Sequence, residues 1–286
     1  MRLRQLALLI SIVTTACGGA TTAAPSTAPV TTVQAGPTTT TANSTPCLEG
    51  AGGFIGDGPL GSRARDAADA ATVTGLTLTP YQGCEQLIVE LAAASGAPAT
   101  SVGTTSAEFI RPFGVVRVHL DPTVTDTSLS DIVLGGTLAD RVYVVRDFDD
   151  SLFVDIHLTD AAVARFSEIS NPARLVVDLA PGGSAVRTPE RSDFVVVMPL
   201  PDPLAAPVTI EGYGRTFEAN VILRARQAGE IVAEEFTTST DYLETWGRFE
   251  LALPPQLTGE LELFIGEDSA RDGSEQGVRL AVAIDE

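Results

Sequence analysis

Short runs of alternating apolar and polar residues recur along most of the chain, separated by Gly, Pro and Asp. In the run at 115–120, Val116, Val118 and Leu120 share one face, whereas Arg117 and His119 share the other. Strict alternation is typical of a half-buried β-strand, because successive side chains point to opposite faces. The pattern predicts an all-β chain, with polar side chains such as Arg117 and His119 on outward, solvent-facing strand surfaces.

Further strands are predicted between residues 71 and 179, with one helix among them. The predicted strands are 71–79, 85–91, 115–120, 141–146, 151–158 and 175–179. In the strand at 151–158, Asp155 and His157 fall on the outward face. The segment 159–168 differs, because Thr159 or Asp160 can cap a short helix that carries Val163 and Phe166 three residues apart.

The alternation is cleanest after residue 194. Phe249, Leu251 and Leu253 alternate with polar or small residues, and residues 194–286 contain about seven such runs. Trp246 is expected to plug the core or its rim. The segment 184–193 is rich in Gly, Pro and Arg, which indicates a linker. The sequence thus predicts two antiparallel β-sandwich domains in tandem, at 47–183 and 194–286.

The first 17 residues predict export. A basic start precedes an apolar run at 6–13, which is too short to span a bilayer, and small residues lead to Cys17. This resembles the lipobox of bacterial lipoproteins, although Thr14 stands where that pattern favours Leu. The resemblance implies that Cys17 carries a lipid anchor on the outer face of the bacterial cytoplasmic membrane. Residues 18–46 are rich in Thr and Pro, which predicts a disordered linker.

The charge and the cysteines limit the function classes. The net charge is -19 and all eighteen basic residues are Arg, so the surface repels nucleic acid, which we do not expect as a partner. If Cys17 is lipidated, Cys47 and Cys84 remain as a pair in an oxidising setting, where a disulfide is expected. The alternative is two free thiols at a metal or redox site, which lacks CxxC spacing and nearby histidines.

The histidines and one acidic turn are weak candidates for metal ligands. His119 and His157 fall on outward strand faces and would approach each other if their strands are neighbours, but a transition-metal site needs three or four ligands. We interpret both as solvent-facing residues. Asp147, Asp149 and Asp150 offer oxygens to calcium, but calcium needs six or more oxygens from a shaped loop, so we interpret these residues as a polar hairpin turn.

Two motifs near the C-terminus are also interpreted structurally. The loop at 268–275 lacks the regularly spaced Asp ligands and the Glu at the twelfth position of a calcium-binding loop. We therefore expect a turn whose Asp side chains bond their own backbone. In the segment 217–220, Phe217 is expected in the core, with Glu218 outward and Asn220 at a strand end. The sequence contains no GxSxG, HExxH, phosphate-loop or dinucleotide motif. We therefore predict no catalytic residue, no cofactor and no metal.

Two family resemblances add to this interpretation. The first segment resembles the AMIN-like domains of actinobacterial envelope lipoproteins, on the residues 109–118, 141–144, 152–156 and 173–179. That resemblance implies a β-sandwich that binds cell-wall polymers. The second segment is similar to the immunoglobulin-like domain of bacterial spore germination proteins, on the residues 198–201, 207–212, 215–221 and 266–274. It implies a role in germination or sporulation envelopes, without enzymatic activity.

The leading hypothesis is a non-catalytic envelope lipoprotein whose two sandwiches bind cell-wall polymer or an envelope protein. One alternative is an extracytoplasmic hydrolase with two catalytic carboxylates, but among 37 acidic residues a suitable pair arises by chance. Another is a solute-binding lipoprotein of a transporter, which needs two α/β lobes, and the sequence offers almost no helix.

Overall fold

The computed structural model of the protein describes residues 47, 49, 53–65 and 67–285. The predicted signal at 1–17, the lipidation site Cys17 and the linker at 18–46 lie outside the described residues. The regular structure of the described residues is almost entirely strand, as the alternation predicts. Short 3-10 turns lie at Arg111–Phe113 and Phe217–Ala219.

Eleven strands precede residue 184. They are β1 Gly58–Arg63, β2 Ala70–Tyr81, β3 Cys84–Ala93, β4 Thr105–Ile110, β5 Val115–His119, β6 Asp126–Thr127, β7 Asp131–Val133, β8 Ala139–Arg146, β9 Leu152–Leu158, β10 Ala162–Ile169 and β11 Arg174–Pro181. All six strands predicted in this part are present. In each of them, alternate residues form an apolar face that packs on a core.

Eight strands follow. They are β12 Glu190–Arg191, β13 Val195–Val197, β14 Thr209–Gly214, β15 Asn220–Gln227, β16 Glu230–Thr238, β17 Trp246–Ala252, β18 Gly259–Asp268 and β19 Glu275–Ile284. Seven of them lie within 194–286, as predicted.

The helix predicted at 159–168 is wrong, because these residues form strand β10. Ala162 and Ala164 are buried on one face, and the strand pairs along its whole length with β11. Ala164 also bridges to Ile55 on the other side. Val163 and Phe166 have helical spacing, but pairing with β11 stabilises a strand here, because tertiary pairing outweighs local propensity.

The first sandwich consists of two sheets with a core between them. A five-stranded sheet has the order β10-β11-β3-β2-β6, and it faces the strands β1-β4-β5-β9-β8 of a larger sheet. Fully buried apolar residues fill the space between the two sheets, among them Leu87, Val118, Val154, Ile156 and Val177. These are the faces that the alternation assigns to the core.

The second sandwich has the same architecture. A four-stranded sheet, β16-β15-β18-β19, faces β17, β14 and β13. Its core contains Leu223, Phe249, Leu251, Leu263 and Ile265. The predicted alternation at 249–253 and 261–265 therefore places the expected side chains inward.

One ten-stranded sheet runs through both sandwiches, in the order β1-β4-β5-β9-β8-β17-β14-β13-β12, with β7 also paired to β8. The connection is a short parallel pairing in which Trp246 and Gly247 of β17 lie beside Val145 and Arg146 of β8. A side chain at Gly247 would collide with the backbone of Asp241, with a Cβ only 2.1 Å from its nitrogen. The domain boundary expected at 184–193 stays a prediction, and these strands pair across it.

Side chains from β9 and β14 meet on one face of the large sheet, although β8 and β17 lie between these strands. The hydroxyl of Tyr213 on β14 lies 2.6 Å from a carboxylate oxygen of Asp155 on β9. Side chains from both sandwiches therefore meet on this face.

Candidate functional site

Four polar side chains are buried where the two sandwiches meet. Arg117 on β5 lies opposite Asp155 on β9 and donates two hydrogen bonds of 2.8 Å to its carboxylate. The Tyr213 hydroxyl donates to Asp155 at 2.6 Å, and Nε2 of His157 lies 2.9 Å from that hydroxyl. We call these four residues the junction cluster.

The contacts define where the protons lie. Because Tyr213 donates its proton to Asp155, its oxygen accepts a hydrogen bond from Nε2–H of His157. Nδ1 of His157 is then an unprotonated acceptor, and it has no hydrogen-bond partner among the described residues. The histidine is neutral, and its only polar contact within the cluster is with the other sandwich.

Aromatic rings enclose the junction cluster. The ring centre of Tyr143 lies 4.7 Å from that of His157 and 5.0 Å from that of Trp246. The Arg117 guanidinium lies 4.0 Å above the ring of Phe153. The apolar part of this core consists of Tyr143, Val145, Phe153, Val196, Met198, Tyr213 and Trp246, with Phe113 packed against it. Trp246 is thus a core plug, as predicted, and the core it fills belongs to both sandwiches.

The prediction that Arg117, Asp155 and His157 face solvent is wrong. Asp155 is 0 % exposed and His157 is 1 % exposed. Alternation distinguishes the two faces of a strand but does not show whether a second layer covers the polar one. Here the second sandwich covers it, with Tyr213 supplying the partner that both buried groups require.

The two histidines do not come together. Strands β5 and β9 are neighbours, but His119 lies opposite Phe153 and His157 lies opposite Val115. Four residues along a strand correspond to about 13 Å. His119 is partly exposed, and its Nε2 lies 3.3 Å from Glu108. The residues that the sequence suggested as a histidine pair therefore have separate surroundings.

Burial controls the protonation of the junction cluster. It lowers the pKa of His157 to about 4, against the attraction of the Asp155 charge, and Arg191 and Arg141 act in the same direction as burial. Burial alone would raise the pKa of Asp155, but the charge and hydrogen bonds of Arg117 hold it below its ordinary value. Burial, together with the Asp155 charge, also raises the pKa of the Tyr213 hydroxyl. The cluster is a closed ion pair with a neutral histidine.

Acid is expected to destabilise the protein through His157. In the unfolded chain this residue takes up a proton below about pH 6.5, whereas in the folded protein burial delays the uptake to about pH 4. The unfolded state therefore binds more protons in this window, so stability falls as the pH decreases from about 6.5 to 4, by about 3 kcal/mol. Urea unfolding at a series of pH values measures this decline.

The matched variants are His157→Phe and His119→Phe. The first removes the buried titrating group and should remove most of the decline between pH 6.5 and 4, although it also lowers stability at pH 7 by leaving Tyr213 with one partner fewer. The second removes the partly exposed histidine and should keep the decline. An unchanged slope in His157→Phe would contradict the account.

Further polar contacts cross the junction. The Thr240 hydroxyl donates to the carbonyl of Arg146 at 2.6 Å, and Arg215 donates to the Ser130 hydroxyl at 2.7 Å. Arg248 pairs with Asp147 at 3.1 Å. With the junction cluster and the β8–β17 pairing, these contacts join the sandwiches over several independent points. A joint of this kind resists relative motion.

The disulfide predicted between Cys47 and Cys84 is confirmed. Both residues are buried, and their Cα atoms lie 6.3 Å apart. The bridge packs against Ala180 and the partly buried Phe54. It fixes the start of the described chain to β3.

The acidic loops have structural explanations. Asp147, Asp149 and Asp150 form the turn between β8 and β9, as predicted, with the Asp149 carboxylate accepting from the backbone and hydroxyl of Ser151. These two hydrogen bonds lower the pKa of Asp149. The Asp147 backbone N–H closes the turn by donating to the carbonyl of Ser151 at 2.8 Å.

The loop at 268–275 is also a turn. Asp272 accepts from the backbone and hydroxyl of Ser274, as predicted. Asp268 and Glu275 accept from Arg224 instead, at distances of 2.6 to 3.1 Å. Hydrogen bonds from Arg224 hold the pKa of Asp268 below its usual value. The carboxylates at the ends of this loop are thus ion-paired to a strand.

The prediction for Phe217 is wrong. It lies in a short 3-10 turn rather than in the core, and its side chain is 64 % exposed. Glu218 and Ala219 in the same turn have positive φ values of 54° and 62°, a conformation uncommon for residues with side chains. With this backbone conformation, Ala219 points inward and is buried, whereas Phe217 points outward. Nothing in the local sequence signals this arrangement.

Exposed apolar side chains gather on strand β16. Phe236 is 78 % exposed, Ile231 is 53 % exposed and Val232 is 43 % exposed. β16 is the first strand of the four-stranded sheet and pairs on one side only, with β15. We call residues Glu230–Thr238 the β16 edge. Sequence alternation at this strand is weak, and nothing in it indicates an open edge.

Within the described ranges, no three His, Cys, Asp or Glu side chains are grouped so that they could hold a metal ion. No helix among the same residues has the length and apolar character needed to cross a bilayer.

Comparison with known proteins gives one match, and it falls on the second sandwich. No curated protein and no solved structure matches the chain. The matched range contains Tyr213 of the junction cluster and the whole β16 edge. Residues 194–274 match the family model of the immunoglobulin-like domain of bacterial spore germination.

Proposed function

We propose that the protein is a non-catalytic cell-envelope lipoprotein that binds another envelope protein. Cys17 anchors it to the outer face of the bacterial cytoplasmic membrane, and the segment 18–46 is the linker to the two sandwiches. The matched immunoglobulin-like domain supports a binding role, because such domains present surfaces on a rigid scaffold. The AMIN-like character of residues 47–183 belongs to the same proposal.

One observation carries the non-catalytic role. The residues with the strongest potential for proton transfer, Asp155, His157 and Tyr213, are all buried and bonded to one another. A catalytic base must reach the proton that it abstracts, and no substrate reaches these groups without separating the sandwiches. Their hydrogen bonds stabilise the contact between the two sandwiches.

The carboxylates give further support. A hydrolase of the two-carboxylate type needs an acid whose pKa is raised. Among the described residues, every carboxyl group whose pKa is clearly displaced is displaced downward, and the set is Asp69, Asp121, Asp149, Asp155, Asp241, Asp268, Asp272 and Glu275. These groups are charged acceptors at neutral pH.

A protein partner is favoured over a wall polymer by the distribution of aromatic residues. Sugar rings are commonly bound on Trp and Tyr side chains, which combine a flat apolar surface with a polar tip. Here Trp246, Tyr143 and Tyr213 are buried in the junction, and the other two tyrosines, Tyr81 and Tyr242, are partly buried. The exposed aromatic side chains Phe148, Phe217 and Phe236 are apolar throughout, and Phe236 shares strand β16 with the exposed Ile231 and Val232. Such a surface fits an apolar protein contact.

The test is a capture experiment with the full chain, purified in mild detergent with a C-terminal tag. It is incubated separately with cell-wall sacculi and with envelope extract, and bound proteins are crosslinked and identified. We expect one protein to be enriched, with crosslinks to the described sandwiches. If the protein sediments with sacculi and captures no envelope protein, the ligand is a wall polymer and not a protein. If it binds neither sacculi nor an envelope protein, the binding role is contradicted.

Cys17→Ser is the matched variant for the anchor. It should move the protein from the membrane fraction to the soluble fraction while keeping the capture. Membrane retention in Cys17→Ser would contradict the anchor without affecting the binding role.

A further inference from the structure

Most sheet edges in the described part of the chain are short or covered. Strands β6 and β12 have two residues each, and β10 is bridged by Ile55. The edge of β19 is covered at its end by Leu204, which exchanges backbone hydrogen bonds with Ala283 and Asp285. Strand β1 is interrupted by a bulge between Pro59 and Gly61. Protection of this kind prevents unwanted pairing with other chains.

The β16 edge has nine residues and lacks most of this protection. It contains no Pro and no basic residue, and its one irregularity is a bulge near Ala225 and Arg226 of its partner β15. An open strand of this length presents unpaired backbone groups to a neighbouring chain. Phe236 lies opposite Ile222, so both point to the outer face of the sheet. An added strand would place its own side chains next to Phe236.

The charge of the β16 edge indicates what it accepts. It carries Glu230, Glu234 and Glu235 and no positive charge. Glu234 pairs with Arg224 at 2.6 Å, whereas Glu230 and Glu235 are exposed and have no ion-pair partner among the described residues. A strand that pairs here must bring positive charge beside them, because opposite charges on adjacent strands stabilise the pairing and like charges oppose it.

The same charges disfavour a second copy of this chain. Pairing two β16 edges would bring three Glu residues of each copy together, and no Lys or Arg on either strand would compensate. The net charge of -19 adds repulsion between whole molecules. The β16 edge repels a second copy of itself, but it is open and carries exposed apolar side chains between its Glu residues. These properties fit a different, basic partner.

We infer that the β16 edge binds an extended, basic segment of a protein partner as an added β-strand. Backbone hydrogen bonds supply the pairing, Phe236 packs against an apolar side chain of the segment, and Glu230 and Glu235 pair with its basic residues. This inference rests on the proposed function for the class of the partner. It adds the place and the mode of binding.

The test uses a synthetic octapeptide of alternating Arg and Val, blocked at both ends, as the probe. A control peptide has the same composition, with all Arg before all Val, and therefore the same charge without the alternation. Each is titrated into the full chain by calorimetry, and backbone hydrogen exchange locates the bound peptide. We expect the alternating peptide to bind more tightly and to slow exchange within residues 230–238.

Exposed-residue variants with matched controls test the contacts. Phe236→Ser and Glu235→Arg should each weaken binding of the alternating peptide by about tenfold. Val133→Ser removes another exposed apolar side chain, on β7, and Asp193→Arg reverses another exposed charge, so both should leave binding unchanged. All four positions are exposed, and denaturation curves verify that each variant is folded.

Two results with the peptide would overturn the inference. One is exchange protection that falls outside residues 230–238, and the other is equal binding by Phe236→Ser and the unchanged protein. Because both are measured with the peptide, they are independent of the capture experiment. Capture of an envelope protein that persists in Phe236→Ser would refute the β16 edge as the binding place and leave the binding role intact.

Discussion

Replacing Asp155 by Ala is expected to lower the free energy of unfolding by about 3–5 kcal/mol. The substitution leaves the Arg117 guanidinium, which is 7 % exposed, as a buried charge without its carboxylate. It also removes the acceptor of the Tyr213 hydroxyl. The loss is large because an unpaired buried charge costs more than the pair contributes. Urea unfolding at pH 7, followed by the fluorescence of Trp246 at the junction, measures it.

Two comparisons isolate the cause. Arg279→Ala removes an ion pair from a half-exposed Arg side chain, and it should cost less than about 1 kcal/mol. The double variant Arg117→Met with Asp155→Leu removes both charges and should recover a large part of the loss. A cost below about 1 kcal/mol for Asp155→Ala would show that the junction is open to water, in contradiction to its burial.

Removal of the disulfide has the second large expected effect. Replacing Cys47 and Cys84 by Ser should destabilise the protein by about 4 kcal/mol, since the bridge closes a loop with a sequence separation of 37 residues. Without it, the start of the described chain is no longer held to β3. The packing of Ala180 and Phe54 around the bridge adds to the loss. Thermal unfolding with and without a reducing agent measures the effect in the unaltered protein as well.

Cys17→Ser is the control for the disulfide, since it removes a cysteine outside the described residues. Its unfolding should match that of the unaltered protein. Equal stability of the Cys47→Ser, Cys84→Ser variant and the unaltered protein would mean that the bridge constrains nothing in the unfolded chain.

The strand arrangement is largely predictable from the sequence because it depends on local alternation. Residues such as Val116, Leu251 and Leu263 repeat every second position, and each of them points to a core. The predicted turn at Asp147–Asp150 follows from residues that bond their own backbone. These features need no information about distant parts of the chain.

The junction cluster could not be predicted in this way. Asp155 and His157 alternate with core residues and look like ordinary outward positions, and the partner that buries them, Tyr213, is more than fifty residues later. Only the strand order of the ten-stranded sheet brings them together, through the short β8–β17 pairing. Alternation describes each strand but does not describe how distant strands are joined.

Phe217 and β10 illustrate the same limit on a smaller scale. Phe217 is exposed because two following residues adopt positive φ, and β10 is a strand because β11 offers an edge to pair with. In both cases the local sequence favours another structure, and the surrounding fold decides. The segments where local prediction fails are therefore those where tertiary contacts are strongest or the backbone is unusual.

The junction has a consequence for the proposed binding role. Two sandwiches that share one sheet and the buried hydrogen bond from Tyr213 to Asp155 present their surfaces in a fixed relation, which reduces the entropy lost when a partner is bound. The β16 edge is thereby held at a defined position relative to the disulfide.

Differential scanning calorimetry of the purified protein tests the central claim most directly, namely that the buried junction makes the two sandwiches one cooperative unit. We predict a single transition with equal calorimetric and van't Hoff enthalpies, which Asp155→Asn shifts as a whole to lower temperature. Two separate transitions, with Asp155→Asn shifting only one of them, would contradict the account.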